Sequence, residues 1–419
     1  MCICPQEMDH PIVSAVNATA ELFVSTPGPV SSTSMVTTAA VHAASFVGPQ
    51  FAKQVMRFSN QTVLDNVPPE MLSRVGVHWY QFPPLWPVWH KILGLFMIIL
   101  GLIGFCGNAV VVYIFILTPG LRTPSNIYVI NLAFTDFIMM LAMSPPMVIN
   151  CWYETWYLGP LMCDLTAYVG SVCGGSAIWT MTAIANDRYN VIVKGMNAKP
   201  LTIPRAIITV VIIWCHGAIW ASLPLLGWNR YVPEGNMTSC GTDYVNDDWV
   251  NNSYILVYSI FVYYTPLSII VYSYWHIVSA VAAHEKNMRE QAKKMNVASL
   301  RAGDSGGVSA EAKLAKVAMT TISLWFMAWT PYLLTNYVGI FARKHITPLA
   351  TIWASVCAKT NACYNPIVYA FSHPKYRAGL HARCPFFVCG ETDEQKAAKQ
   401  KAAAPAAEAG STHTADGKA

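Results

Sequence analysis

Residues 346–373 read ITPLATIWASVCAKTNACYNPIVYAFSH and carry one charged side chain, Lys359. As a helix this run would be about 40 Å long, which exceeds the roughly 30 Å hydrocarbon core of a bilayer. Lys359 would then lie about 20 Å from either end, too far for its side chain to reach water. An unpaired ammonium is costly at that depth, so the amine must be neutral, paired with a carboxylate or used covalently. A neutral lysine amine is the nucleophile that condenses with an aldehyde.

Six further runs nearly free of Asp, Glu, Lys and Arg precede this one, with Asp136 as their single charge; they cover residues 92–117, 127–149, 165–186, 206–227, 254–283 and 317–342. The seven runs predict an all-α membrane protein, a seven-transmembrane helix bundle. The composition agrees, because 54% of the residues are hydrophobic and 12% are charged, against about 25% charged in soluble domains. This balance argues against a soluble enzyme and excludes a disordered chain, a coiled coil and a nucleic-acid-binding module.

The connections between the runs orient the bundle. Twelve Lys and Arg residues lie in the first, third and fifth connections, whereas the connections on the other face hold Arg230, Arg343 and Lys344. Positively charged connections face the cytoplasm. The N-terminus is therefore predicted to lie outside the cell.

The boundary between the N-terminal segment and the transmembrane core is predicted at residue 88. Residues 1–88 are rich in Ser, Thr, Ala and Pro and are predicted to form an extended, mostly unstructured extracellular segment. Asn17 and Asn60 begin glycosylation sequons in this segment. Residues 89–373 are predicted to form the transmembrane core.

The C-terminal side should lie in the cytoplasm. Residues 374–390 are predicted to hold a short amphipathic eighth helix, with Cys384 and Cys389 as candidates for lipid attachment. Residues 391–419 are an Ala- and Lys-rich, low-complexity stretch, which predicts a disordered tail.

Several motifs accompany Lys359, and together they carry a family resemblance. The motifs are Gly107-Asn108, Asp187-Arg188-Tyr189, Phe326-Met327-Ala328-Trp329-Thr330-Pro331-Tyr332 and Asn365-Pro366-Ile367-Val368-Tyr369. The sequence resembles the G-protein-coupled receptors over residues 75–390, and the lysine seven residues before Pro366 singles out the opsins among them. Further stretches, including Trp79-Tyr80-Gln81-Phe82, resemble arthropod visual opsins of the insect long-wavelength group.

The resemblance implies a covalent chromophore. It makes Lys359 the site of a Schiff base with 11-cis-retinal or 3-hydroxyretinal, and a protonated linkage would need a buried counter-charge. Glu234, six residues before Cys240, is the expected counterion. Vertebrate visual opsins instead place this glutamate three residues after the cysteine of the third span, where Thr166 stands here. Since Thr166 cannot be an anion, the departure favours Glu234.

The resemblance also implies the walls of the chromophore site. In this family a disulfide joins the second extracellular loop to span three, which implies a bond between Cys163 and Cys240 that holds the loop as a lid over the pocket. The expected pocket residues are Trp329, Tyr332, Gly170, Gly174 and Ser355. The two glycines are expected to leave room for the chromophore, although close contact between helices would require glycine equally well.

Activation residues are expected on the cytoplasmic half of the bundle. The resemblance implies a latch in which Arg188 pairs with Asp187 and Glu311, followed by capture of the freed arginine by Tyr274 and Tyr369. It also implies a polar cluster of Asp136 with Asn108 and Asn365. The full set of expected switch residues is Asp187, Arg188, Tyr189, Glu311, Asp136, Asn365, Pro366, Tyr369 and Tyr274.

The expected function is light sensing at the plasma membrane of a photoreceptor. The resemblance implies coupling to a heterotrimeric G protein of the Gq class, with arrestin and a receptor kinase as further partners. A retinal photoisomerase or a non-visual opsin remains the alternative, and a transporter would need more acids in the spans than Asp136 alone. No metal-ligand spacing, phosphate loop or nucleophile elbow occurs, so neither a metal site nor an enzyme is expected.

Overall fold

The computed structural model describes residues 61–294 and 306–384. Seven long helices cross this part of the chain. In order, the spans are Pro87–Leu117, Pro124–Tyr153, Gly159–Tyr189, Ile203–Ser222, a fifth made of Trp249–Ser259, Ile260–Tyr264 and Thr265–Lys294, then Gly306–Ala342 and Pro348–Ser372. Shorter helices are Pro69–Arg74, Val77–Gln81, Pro119–Leu121, Asn190–Lys194, Gly195–Asn197, Leu223–Leu226, Arg343–His345 and Pro374–Arg383.

Length and hydropathy fit the predicted seven-transmembrane bundle. Within the described residues, six helices are long and apolar enough to cross a membrane. The seventh span, Pro348–Ser372, has 25 residues and so measures about 37 Å. It carries Lys359 and several buried polar side chains, which lower its hydropathy. These polar groups face the bundle rather than lipid.

The starts of the spans follow from local chemistry. Proline stands in the first turn of spans one, two, three, four and seven, where no helical N–H is lost. Thr123 and Thr347 cap spans two and seven by accepting hydrogen bonds from the backbone N–H of Asn126 and Ala350. The fifth span contains the π-helical turn Ile260–Tyr264 just before Pro266, whose missing N–H interrupts the regular ladder.

Span three is the centre of the bundle. The apolar part of this span is 61% buried, compared with 22–50% for the other five apolar spans. Its buried residues are mostly small, including Gly170, Gly174 and Gly175. Small side chains let neighbouring helices approach closely, so span three can contact spans two, four, five and six.

The second extracellular loop forms a hairpin over the bundle. Strand β1 is Tyr231–Pro233 and strand β2 is Cys240–Thr242. They pair antiparallel, with Pro233 opposite Cys240. The turn between them begins at Glu234, whose backbone N–H donates to the Ser239 carbonyl at 2.8 Å.

The segment before span one differs from the expectation. Residues 1–60 of the segment predicted to be extended and mostly unstructured lie outside the described residues. In the rest of it, Pro69–Arg74 and Val77–Gln81 form 3-10 helices and span one already begins at Pro87. Buried apolar side chains such as Met71 and Trp79 explain the difference, because they gain burial on the extracellular end of the bundle. Their spacing is too irregular to give a periodic signal in the sequence.

Candidate functional site

A cavity lies between the spans beneath the β-hairpin. Its volume is about 130 Å³, about ten times the space that one water molecule needs. The residues from the hairpin that line it are Glu234, Cys240, Gly241 and Thr242. The other walls come from spans two, three, five, six and seven, so the cavity lies inside the bundle.

Lys359 brings its amine to this cavity. The residue is 6% exposed and occupies the middle of span seven. Its Nζ donates hydrogen bonds to the Ser355 hydroxyl at 2.5 Å and to the Ser355 carbonyl at 3.4 Å. Ser355 lies one helical turn earlier and therefore on the same face. The amine is thus held in place while it remains accessible from the cavity.

Glu234 enters the cavity from above. It is 3% exposed, and its carboxylate accepts a short hydrogen bond from the Ser239 hydroxyl. The Ser239 and Ser355 hydroxyl oxygens are 3.5 Å apart, at the outer limit of hydrogen bonding. Two serine hydroxyls therefore connect the Lys359 amine to the Glu234 carboxylate.

Ser239 was missed by the sequence reasoning. Its position one residue before Cys240 was the available signal, because a disulfide fixes its neighbours as well as itself. The Cys163–Cys240 disulfide is present, with a Cα–Cα distance of 5.4 Å. It attaches β2 to the extracellular end of span three, four residues after the helix begins, and so holds Ser239 and Glu234 above the amine.

Thr166 makes no contribution to this network. Its hydroxyl donates to the backbone carbonyls of Met162 and Cys163, at 2.8 and 3.2 Å. These bonds are internal to span three. With Thr166 engaged there, Glu234 is the carboxylate that lines the cavity with Lys359.

Trp329 and Tyr332 form one wall of the cavity. Their rings meet edge to face, with centroids 6.3 Å apart. A Cβ added at Gly241 would lie 2.5 Å from the Tyr332 hydroxyl and 2.9 Å from Glu234 Oε1, so hydroxyl and carboxylate are neighbours. Tyr332 therefore offers the carboxylate a second polar partner.

The two glycines of span three serve close packing. A Cβ at Gly174 would lie 2.9 Å from Trp329 Cη2, and one at Gly170 would lie 2.8 Å from Met143 Sδ. Both distances are shorter than real Cβ contacts. Both glycines also line the cavity, so they let Met143 and Trp329 approach span three beside the expected chromophore site.

A second polar cluster lies deeper in the bundle. Asn365 donates from Nδ2 to Asp136 Oδ2 at 2.6 Å. Asn108 instead donates to the backbone carbonyls of Gly104 and Ala362, both at 2.7 Å. Ala362 is four residues before Pro366, which has no N–H to bond that carbonyl. Asn108 therefore replaces the hydrogen bond that the proline removes.

The cytoplasmic switch residues occupy different environments. Arg188 pairs with Asp187 at 2.5 Å, and both are buried. The Tyr274 hydroxyl donates to the Ala315 carbonyl of span six at 3.2 Å. Tyr369 packs on Phe115 with ring centroids 6.2 Å apart. The Glu311 side chain lies outside the described residues.

Tyr189 faces span five. Its ring lies 5.8 Å from those of Tyr272 and His276, and the Lys194 ammonium sits 5.3 Å above it. It therefore belongs to the surface between spans three and five rather than to the buried arginine pair.

The modification sites are only partly covered by the structure. Asn17, Asn60 and Cys389 lie outside the described residues. Cys384 is partly buried against the apolar cluster that contains Tyr376 and Leu380, at the end of helix Pro374–Arg383.

The chain is similar to known receptors over most of its length. The family "7 transmembrane receptor (rhodopsin family)" matches residues 107–369. A rhodopsin of Sphodromantis sp. is 61% identical over 346 residues, which are 83% of this chain and 92% of that protein. The long-wavelength rhodopsin of Apis mellifera is 61% identical over 333 residues, 80% of this chain and 88% of that one.

A solved structure agrees with these relatives. The crystal structure of squid rhodopsin matches with a TM-score of 0.73 and 34% identity, covering 81% of this chain and 97% of the squid chain. The identities to insect proteins far exceed this value, which fits the arthropod motifs in the sequence. The chain therefore belongs to the arthropod rhodopsins, opsin-type photoreceptors within the rhodopsin family of multi-pass membrane receptors.

Proposed function

We propose that the protein binds retinal covalently through Lys359 and signals to a G protein of the Gq class when illuminated. The observation that carries the proposal is a buried amine that faces a cavity and is connected to a buried carboxylate through Ser355 and Ser239. A lysine at this depth rarely serves the structure alone. An aldehyde ligand would give the amine a chemical role, because their condensation forms a C=N bond and releases one water molecule.

The lining of the cavity suits retinal. Aromatic side chains such as Trp325, Trp329 and Tyr258 line it. Apolar and aromatic walls suit a polyene, while the polar groups gather near Lys359. When bound, retinal would supply a double bond that isomerises on absorbing a photon.

Glu234 would balance the positive charge of the linkage. A buried cation is tolerated when a carboxylate and hydrogen bonds accompany it. Ser355 accepts from the amine, and Ser239 donates to the carboxylate. The hydroxyls can thus orient both charges while the hairpin excludes bulk water.

The cytoplasmic half would carry the signal. Trp329 lies against Gly174 of span three, so a ligand that pushes on its indole also pushes spans three and six apart. The Arg188 pair and the Tyr274 bond to span six lie on the path of that movement. A two-state bundle of this kind responds to a ligand that fits its states unequally.

The Gq class is inferred from the start of the third cytoplasmic loop. The stretch His284-Glu285-Lys286 resembles opsins that couple to this class. Lys286, Lys293 and Lys294 are exposed there, at the end of span five, and offer positive charge to a partner. Arrestin and a receptor kinase are proposed as later partners at the same face.

The proposed organisation includes the flanking segments. Residues 1–88 would be extracellular, with glycans at Asn17 and Asn60. Residues 374–390 would lie along the inner leaflet, anchored by lipid on Cys384 or Cys389, and residues 391–419 would form the tail. The membrane would be that of a photoreceptor cell.

Reconstitution with retinal tests the proposal. The full chain is expressed, purified in the dark with 11-cis-retinal or its 3-hydroxy derivative, and its absorbance is recorded before and after illumination. We expect a visible band that changes on illumination and is absent from Lys359→Ala. Lys91→Ala is the control, because Lys91 is exposed at the start of span one; its band should persist.

Coupling is tested in the same preparation. Light should accelerate nucleotide exchange on purified Gq, and a visible band without exchange would instead favour the photoisomerase alternative. A Lys359→Ala protein that keeps its visible band would refute the covalent site.

A further inference from the structure

The N-terminal segment at residues 62–86 is fastened to the pocket lid. Arg74 binds both oxygens of Asp164, at 2.5 and 2.9 Å, and also donates to the Tyr231 carbonyl of β1 at 3.3 Å. Asp164 follows Cys163, which carries the disulfide to β2. The guanidinium therefore joins the segment to β1 and to the part of span three that carries the disulfide.

The segment also closes on itself and on span seven. The backbone N–H of Val63 donates to the Phe82 carbonyl at 3.0 Å. The His78 ring nitrogen Nε2 lies 3.0 Å from the Ile346 carbonyl, just before span seven begins. The segment is thus anchored at both of the elements that supply the site, the hairpin and the lysine helix.

Trp79 lies at the centre of this arrangement. Its side chain is 1% exposed and packs over Gly235, the residue after Glu234. A Cβ added at Gly235 would lie 2.5 Å from Trp79 Cζ3, 2.6 Å from Trp79 Cη2 and 3.0 Å from Pro348 Cα. Gly235 is therefore enclosed between the indole and the start of span seven.

The contact is one of shape rather than of hydrogen bonding. The Trp79 indole N–H has no hydrogen-bond partner among the described residues, and the ring is fixed by edge contacts with His78 and by Phe82. An indole buries a large apolar area and is stiff. It can therefore hold the backbone at residue 235 from outside while the Glu234 side chain points into the cavity.

We propose that Trp79 is a positioning residue for the Glu234 carboxylate. The indole presses on Gly235 from the extracellular side, and Ser239 holds the carboxylate from the cavity side. Without the indole, the turn can relax outward and carry the carboxylate away from Lys359. This inference rests on the proposed function, because it assigns Trp79 a role in the electrostatics of the retinal linkage.

The test is a pH titration of the dark pigment in Trp79→Phe. The measured quantity is the pH midpoint at which the visible band converts into a near-ultraviolet band, as the linkage loses its proton. Phenylalanine removes the outer ring atoms that touch Gly235 but keeps an aromatic side chain. If the carboxylate retreats by about 2 Å from a separation of about 9 Å, the midpoint falls by about 0.25 pH units, a change of about twofold in the equilibrium constant.

Two further variants separate positioning from general stabilisation. Trp79→Phe combined with Glu234→Gln should have the midpoint of Glu234→Gln alone, because no carboxylate remains to be positioned. Tyr80→Phe is the matched control, since Tyr80 is the exposed neighbour of Trp79; its midpoint should equal that of the unchanged chain.

Gly235→Ala provides an independent approach if Trp79→Phe yields too little pigment. Its methyl group would meet the indole, so this variant should also lower the midpoint, and adding Trp79→Phe should restore it in part. An unchanged midpoint in both single variants, with only yield or thermal stability reduced, would overturn the inference. Absence of a visible band in the unchanged chain would overturn the proposed function itself, and the inference with it.

Discussion

Replacement of Glu234 by glutamine measures the charge that the carboxylate contributes. Two of the contacts between the amine and the carboxylate measure 2.5 and 3.5 Å, and the third is a short hydrogen bond. The Lys359 Nζ and the nearer carboxylate oxygen are therefore at most about 9 Å apart. At an effective dielectric constant of about 20, opposite charges at this distance attract by about 2 kcal/mol. We therefore expect Glu234→Gln to lower the pH midpoint of the dark visible band by at least about 1.3 units.

The assay is the titration of purified dark pigment, followed by its absorbance in the visible and near-ultraviolet. Asp247→Asn is the control, because Asp247 lies in the same loop but is exposed and pairs with Arg343. Its midpoint should not move. A Glu234→Gln midpoint equal to that of the unchanged pigment would refute the counterion assignment.

Three other substitutions follow from the same geometry. Ser355→Ala removes one hydrogen bond to the linkage, so the transition energy of the visible band should fall by about 1 kcal/mol and the band should move to longer wavelength. An unchanged band in the dark spectrum would contradict this. Cys163→Ser removes a disulfide between residues 77 apart in the sequence, which stabilises the fold by at most about 4.5 kcal/mol. Thermal decay of the dark pigment should therefore accelerate. Equal decay rates would count against a role of the disulfide in holding the lid. Gly174→Ala should slow pigment formation more than Gly170→Ala, because the rigid Trp329 ring cannot move aside as a methionine can, and kinetics of retinal uptake would expose the opposite order.

The sequence predicted the spans because their signal is local. Long uncharged runs and the asymmetry of basic residues determine membrane helices without knowledge of their packing. Lys359 could be singled out by the same arithmetic, since its distance from both ends of its run needs no partner. Glu234 could not be identified in this way, because the local sequence does not show whether a glutamate in a loop is buried. Only the resemblance connected it to the site.

Other features depend on tertiary contacts and left no local signal. Ser239 matters because the disulfide places its hydroxyl between two charges. The 3-10 helices before span one form where Met71 and Trp79 are buried at the extracellular end of the bundle. The space at Gly170 is filled by Met143, which lies on another span. Each of these requires the positions of elements far apart in the chain.

The bond from Asn108 to the Ala362 carbonyl has a mechanical consequence for span seven. At Ala362 the helix is stabilised by the Asn108 side chain of span one and not by its own backbone hydrogen bond, because Pro366 has no N–H to donate. Bending there strains a single side-chain hydrogen bond worth about 1 kcal/mol, whereas bending an intact helix strains its backbone hydrogen bonds as well. Span seven therefore consists of a rigid upper arm that carries Lys359 and a lower arm that carries Tyr369, joined by a joint of low stiffness. The arm that holds the ligand can stay still while the arm that faces the cytoplasm turns.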